Sequence, residues 1–417
     1  MSQFYLIVGA VYPPEPVISG RNSADLAAEL ARRGRQVRVV APYPSRPLGR
    51  RYPGYPRRLY WSEPSPEGYS ITRCLAATSP AASLLSRLAE NLSFGLLSAC
   101  LLLWMRPKPC AVFANTWPLF AQALICWVAR LRRIPLVLGV QDLYPESLAA
   151  QGRLRPASWL FHRLQALDRW IAANSHALMV IARSFEQVYR EQRRMPASKS
   201  HRLPSWIDDR GLLAELAALP PGENPVRRRL GIPSEAFLFV YAGNLGAAAG
   251  LEAVLEALQG SSLPAHLLIA GAGPRLEVCR RLAGKLPPGM VHFLSPWLKE
   301  DTAAVLASAN AFLLPTYGEQ AFASLPSKLA AYQLAARPVL AIASQGTDLA
   351  GAMEESGCGW LVPPGSPEAL LSALAQACQA APDERARRGA AGREYALAHF
   401  SRAACLPRLV ELVEDCI

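Results

Sequence analysis

Charge is scarce in this sequence, and acid is scarcer than base. Charged residues make up 18% of the 417 positions, with 32 Asp and Glu against 44 Lys and Arg. With 51% hydrophobic residues, that composition excludes a disordered chain and supplies more than one core. Paired metal-ligand motifs are missing as well. The nine cysteines, at 74, 100, 110, 126, 279, 358, 378, 405 and 416, form no Cys-x-x-Cys, and no His pair stands near them at ligand spacing. An odd number of scattered thiols in apolar contexts reads as reduced core residues of a cytoplasmic protein, with no metal expected. No basic segment precedes the opening run MSQFYLIVGAVYPPEP, which therefore reads as a first strand and not a signal peptide. The uncharged Leu-rich run 91–105 has 15 residues, short of the roughly 20 that span a bilayer as a helix. No G-x-G-x-x-G follows the first strand, which disfavours a nicotinamide-dependent dehydrogenase. Nor does any helix-turn-helix, zinc-finger or RNA-binding signature appear, so nucleic acid is not an expected partner.

The net charge of +12 is unevenly spread. Residues 1–212 carry 28 Lys and Arg against 13 Asp and Glu, a difference of +15; the remainder carries 16 against 19, or −3. A basic half suggests a domain that faces a polyanion, and an Arg-rich compositional bias is the plain alternative.

Short apolar runs alternate with helical segments through most of the chain, an α/β pattern. Strands are expected at 5–11, 36–40, 111–114, 135–140 and 177–181, with a helix over 23–33. Residues 206–224, rich in Pro, Gly and Asp, read as a linker around a short helical stretch. The pattern restarts at 237–246, with a helix at 251–258 and strands at 266–270, 291–294, 311–314 and 338–342. Two successive arrays of this kind predict two Rossmann-like domains facing a central cleft, with the chemistry on the strand-to-helix loops. The expected bounds are 1–212 and 225–398.

Four loops carry the candidate chemistry. Gly243-Asn244-Leu245-Gly246 follows the first strand of the second half, where small residues let backbone amides approach an anion; a tight turn without a ligand fits the same residues. Gly271-Ala272-Gly273-Pro274 repeats the device after the next strand. Ser327 and Lys328, entering a helix that continues to Tyr332, could meet phosphate charge, although a solvated Lys is common there. In the first half Asp142 and Glu146 sit on QDLYPES directly after a strand. They could orient hydroxyls or handle a proton, or equally cap a helix and bond backbone amides.

Residues 84–105 concentrate Leu, Phe and Trp between Arg87 and Arg106, and 46–61 interleaves Arg with Tyr and Trp. An interfacial helix with Leu101 and Trp104 in acyl chains, beside Arg50, Arg51, Arg57 and Arg58 at headgroups, is one reading. A buried helix of an ordinary domain is the other.

Taken together, YPPEP…SGRNSADLAAELARRGRQVRVVAPYP, LVLGVQDLYPESLAAQG, LPSWID, FVYAGNLGAAAGLEAVLEAL, LLIAGAGP, VHFLSPW, LPSKLAAYQLAARPVLA and GCGWLVPPGSPEALL resemble a family-4 retaining glycosyltransferase of the GT-B fold. The closest subgroup builds colanic acid, capsule and O-antigen units on lipid carriers. The resemblance implies a UDP- or GDP-sugar donor held by the second domain, near Gly243, Asn244, Gly246, Gly271, Gly273, Ser327, Lys328 and Tyr332. The loop after Phe293 would lie beside the base. It implies a lipid-linked or polysaccharide acceptor approaching Ser19, Gly20, Asn115, Asp142 and Glu146, a metal-independent reaction, and peripheral attachment to an anionic membrane surface. It also implies that residues 399–417 form a helix packing back on the first domain. This chain departs from the family pattern in places. Ala323 and Ala331 stand where paired glutamates are usual, with Glu319 out of register. Ala247-Ala248-Ala249 replaces a basic pair, and Ser205, Arg35 and Ala336 replace Asn, His and Gly. A non-catalytic GT-B scaffold and an inverting transferase or epimerase are the competing readings.

Overall fold

A computed structural model describes residues 4–80, 83–115, 119–220, 222, 224–317 and 325–417. Ala323 and Glu319 lie outside the described residues. The chain divides into two compact units, Met1–Trp206 with Cys405–Ile417, and Ile207–Ala404.

The first unit is built on eight strands: β1 (Phe4–Gly9), β2 (Gln36–Pro42), β3 (Tyr60–Pro64), β4 (Ser70–Cys74), β5 (Ala111–Asn115), β6 (Leu136–Val140), β7 (Ala177–Val180) and β8 (Ser200–Arg202). Their spatial order is β3-β4-β2-β1-β5-β6-β7-β8, parallel throughout except where β3 pairs antiparallel with β4. The central strands are apolar on both sides because helices cover both faces. Along β1, Phe4, Leu6 and Val8 enter one core layer while Tyr5 and Ile7 enter the layer opposite. The last helix, Arg402–Glu414, adds Leu406, Leu409, Val410 and Val413 to that opposite layer beside Leu26 and Leu30. Its Glu414 pairs with Arg33 and Arg35 at 3.0 and 2.8 Å. The β3–β4 hairpin is absent from the sequence reading, which left Tyr60 and Trp61 in a loop.

The second unit carries β9 (Phe237–Ala242), β10 (Ala265–Ala270), β11 (Val291–Leu294), β12 (Ala311–Pro315), β13 (Val339–Ile342) and β14 (Gly359–Val362), in the order β11-β10-β9-β12-β13-β14. Leu238, Val240 and Ala242 face one core layer, Phe239 and Tyr241 the other. The stretch read as a linker holds a helix, Asp209–Ala217, whose Leu212 and Leu216 pack against the second unit's core.

In each sheet the strand order reverses at one place. β1 lies between β2 and β5, and β9 lies between β10 and β12. Ligands of open parallel sheets bind beyond the carboxyl ends of strands at such switch points.

Candidate functional site

At the switch point of the second unit, the loops after β9 and β10 are laced together by their backbones. The Gly243 amide donates to the Ala270 carbonyl at 2.8 Å, Leu245 to Ala272 at 2.9 Å, and Arg275 to Leu245 at 3.0 Å. Gly243, Gly271 and Gly273 have φ of 149°, 143° and 156°, which side chains rarely adopt. A Cβ on Gly271 would lie 1.9 Å from the Gly243 oxygen. These glycines let two strand-end loops touch, and Asn244 and Gly246 lie on the resulting rim. Gly271→Ala should therefore cost about 2–3 kcal/mol of stability, by both clash and strain. Urea unfolding would show this as a lower midpoint with an unchanged slope.

Lys328 enters this rim from the helix Ser327–Leu334. Its ammonium donates to the Tyr241 hydroxyl at 2.5 Å and lies 4.4 Å from the centre of that ring. The Tyr241 hydroxyl in turn donates to the Asn244 carbonyl at 2.7 Å. A chain of hydrogen bonds thus runs from the cation to the glycine loop. Burial lowers the Lys328 pKa to about 8, so the ammonium is held partly out of water. Such a cation is favourable toward an incoming dianion. A Cβ on Gly243 would meet the Lys328 side chain at 2.1 Å, so Gly243 also makes room for it. Ser327 is exposed at the start of the helix. Tyr241 escaped the sequence reading because an aromatic in an apolar strand looks like core.

Tyr332 needs a correction. It is buried and stacked on Phe312 at 4.0 Å, and its hydroxyl is committed to the Ala242 backbone, accepting from N at 2.8 Å and donating to O at 3.1 Å. It fixes the end of β9 and does not reach a ligand. Ala331 is half-buried and packs against the core.

In the first unit, Ser19, Gly20 and Asn115 gather at the carboxyl ends of β1 and β5. The Asn115 amide donates to the Ser19 carbonyl at 2.7 Å and to Ser23 Oγ at 2.8 Å. Asn115 is 1% exposed, and a Cβ on Gly20 would come within 3.2 Å of the Tyr12 backbone. These residues seat the helix Ile18–Arg32 against the first loop, a supporting task. Glu15, unremarked in the sequence, joins two strand-end loops by accepting from the Ser45 and Arg46 amides, both at 2.8 Å.

Glu146 is also corrected. Both of its oxygens accept from Arg193, at 2.8 and 2.7 Å, and Arg193 is fully buried. The same guanidinium donates to Asp168 at 2.8 Å and to the Tyr144 carbonyl at 2.9 Å. Asp168 accepts from the Tyr189 hydroxyl at 3.0 Å. A carboxylate locked in this network is not available for proton transfer or acceptor binding. Asp142 remains: it follows β6, accepts from the Leu143 amide at 2.9 Å, and is raised by burial to about 6, with that hydrogen bond offsetting part of the rise. A carboxyl raised in the fold binds its proton more tightly there than in the unfolded chain. The stability from this group is therefore fully present below about pH 4 and is lost as pH rises through about 6. Asp142→Asn should flatten the stability profile between pH 4 and 6, as read by chemical unfolding at a series of pH values.

Residues 236–380 match the family model described as "Glycosyl transferases group 1", and residues 19–206 match the "Glycosyl transferase 4-like domain". The putative colanic acid biosynthesis glycosyl transferase WcaI of Escherichia coli is 26% identical over 385 residues, covering 89% of this chain and 91% of that protein. The probable glycosyltransferase WbjE of Pseudomonas aeruginosa is 26% identical over 274 residues, 64% of each chain. Among solved structures, sucrose-phosphate synthase from Thermosynechococcus elongatus has a TM-score of 0.71 at 19% identity, covering 100% of this chain and 99% of that one. Anabaena HepE in complex with UDP has a TM-score of 0.69 at 12% identity, covering 99% and 100%. Parallel α/β units with glycine loops and a lysine at a switch point, and family models that together match most of the length, place the chain among the family-4 glycosyltransferases of GT-B architecture.

Proposed function

We propose that this enzyme moves a sugar from a UDP- or GDP-sugar to a lipid-linked or polysaccharide acceptor during cell-surface glycan assembly, with retention of anomeric configuration. The observation that carries this reading is the half-buried Lys328 ammonium beside the Gly243–Gly246 and Gly271–Gly273 loops. The charge that grows on a departing diphosphate would be met by that ammonium and by loop amides, so a metal ion is not required. A relative named for colanic acid biosynthesis and a structural neighbour solved with UDP support the substrate classes. Asp142 is the first-unit group best suited to orient an acceptor hydroxyl. The test is incubation with isotope-labelled nucleotide sugars and a detergent-solubilised lipid-linked acceptor. Label should pass to the lipid with release of nucleoside diphosphate; no transfer from any donor would sink the reading.

The same reading places the enzyme peripherally on an anionic membrane surface at the cytoplasmic face. The support lies in the helix Leu84–Trp104, whose exposed positions are apolar at helical spacing: Leu85 79% exposed, Leu92 37%, Leu96 55% and Trp104 76%. The neighbouring helices Leu119–Leu131 and Trp159–Asn174 add the exposed Trp127 and Trp159. No described helix is long and apolar enough to cross a membrane. Arg46 joins this surface to the basic loop through its ion pair with Glu90 at 2.7 Å. Two residues singled out from sequence are corrected. Leu101 packs against the core, and Arg51 is half-buried, bonding the Pro56 carbonyl at 3.1 Å. Arg50, Arg57 and Arg58 are exposed. Leu96→Glu with Trp104→Ala should reduce binding to phosphatidylglycerol vesicles at least tenfold in co-sedimentation. Removing Arg50, Arg57 and Arg58 should mainly weaken binding at low salt and flatten its salt dependence.

A further inference from the structure

The glycine loops and Lys328 occupy the carboxyl ends of the second sheet, but a second concavity lies at the opposite ends of its strands. A cavity of about 360 Å³ opens between the turn before β12, the turn before β13 and the helix Pro382–His399. Arg227, Arg337 and Arg385 line it together with Ser308, Asn310 and Pro382, and no lining residue is a carboxylate. Two neighbouring arginines outside it are paired, Arg229 with Asp301 at 3.0 Å and Arg388 with Glu384 at 2.8 Å. Among the described residues, the three lining arginines have no ion-pair partner.

Their hydrogen bonds divide the work. Arg227 is wholly engaged, donating to the carbonyls of Ser308, Pro233, Ser234 and Ala236 and to Asn310 Oδ1, at 2.6 to 3.2 Å. Arg337 is anchored through Nε alone, to the Ala309 carbonyl at 2.9 Å, next to the carbonyl that Arg227 holds. Its two terminal nitrogens have no protein acceptor among the described residues. Arg385 bonds the Ala380 carbonyl through one nitrogen, and its guanidinium lies 5.4 Å from the Phe237 ring centre. The turn that presents Arg337 is fixed. Ala336 has φ 51°, and Gly389 sits so close to the Ala336 carbonyl that a Cβ there would lie 2.2 Å from it. Desolvation first, then Arg337, lowers the pKa of Arg227, with Glu235 offsetting part of it. At Arg337 desolvation comes first and the neighbour is Arg393, which lies outside the cavity and donates through Nε to the Leu334 carbonyl at 2.8 Å. Crowded guanidinium groups without counter-ions favour an entering anion, and their planar forks match phosphate oxygens.

We propose that this cavity is a second anion site, taking the phosphate group of a small phosphate ester on the free terminal nitrogens of Arg337 and Arg385. Its place at the amino ends of β9, β12 and β13 separates it from the donor loops.

The test is calorimetric titration of the full-length protein with inorganic phosphate, in the wild type and in Arg337→Gln, Arg385→Gln and Lys328→Ala. The expected result is saturable binding that weakens at least tenfold in each arginine variant and stays within twofold in Lys328→Ala. Binding untouched by both arginine changes, binding lost only in Lys328→Ala, or no binding by the wild type would overturn the proposal. Should Arg337→Gln fail to fold for want of its Ala309 anchor, Arg385→Gln decides alone. Because Lys328→Ala reports on the donor loops separately, failure of this site leaves the donor reading standing.

Discussion

Lys328→Ala is expected to weaken nucleotide-sugar binding about thirtyfold, the equivalent of roughly 2 kcal/mol for a lost charge-assisted hydrogen bond. Two effects combine in that figure. The ammonium no longer faces the diphosphate, and the Lys328–Tyr241–Asn244 chain that steadies the glycine loop is cut. Tyr241→Phe separates them, because it removes the bridge and keeps the charge. It should cost less than Lys328→Ala and leave most of the electrostatic gain. Acidity offers an independent check. The free lysine is lowered to about 8 by burial, so its charge is present at pH 7 and lost above pH 8. Wild-type affinity should fall from pH 7 to pH 9, while the affinity of Lys328→Ala should stay flat over that range. Parallel declines would remove Lys328 from the site.

Arg193→Met should be the most damaging single change in the first unit, costing about 3–5 kcal/mol. Truncation would leave Asp168, 3% exposed, and the half-buried Glu146 sharing a region with no cation between them. The Tyr144 carbonyl would lose its donor as well. Glu146→Gln is milder, since an amide oxygen can still accept from Arg193; about 2 kcal/mol of stability should go with it. Turnover in the surviving folded fraction should fall no more than threefold. Denaturant unfolding and initial rates on the same preparations measure both. A large loss of turnover at full stability would return Glu146 to the reaction.

That reversal marks where sequence stops informing. Asp142 and Glu146 look alike on one loop, but Arg193 lies 47 positions beyond Glu146 in the chain, and only tertiary folding brings them to 2.7 Å. Tyr332 misled in the same way: its spacing from Lys328 puts it on the same helix, while the core claims its hydroxyl for Ala242. The α/β architecture was legible because the central strands carry unbroken apolar runs, such as those of β1 and β9, punctuated by helices. The β3–β4 hairpin was not, since Tyr60–Pro64 is an exposed edge strand with charged and polar residues and no apolar run. The glycine loops and Lys328 were readable because φ near 150° and a cation at a helix start leave marks in residue type. Tyr241 left none. On the helix Leu84–Trp104, helical periodicity distinguishes Trp104 from Leu101: the stripe 85, 92, 96 and 104 is exposed, and Leu101 falls off it.

The central claim is that the second unit holds a nucleotide-sugar diphosphate at the Lys328 rim. It is tested most directly by calorimetric titration of the purified full-length protein with UDP, GDP and their common sugar conjugates. The expected result is saturable binding of one base, tighter with one sugar attached, and weakened in Lys328→Ala. Absence of binding to every one of them, in protein that unfolds cooperatively, would contradict the claim and identify a glycosyltransferase fold that no longer holds a donor.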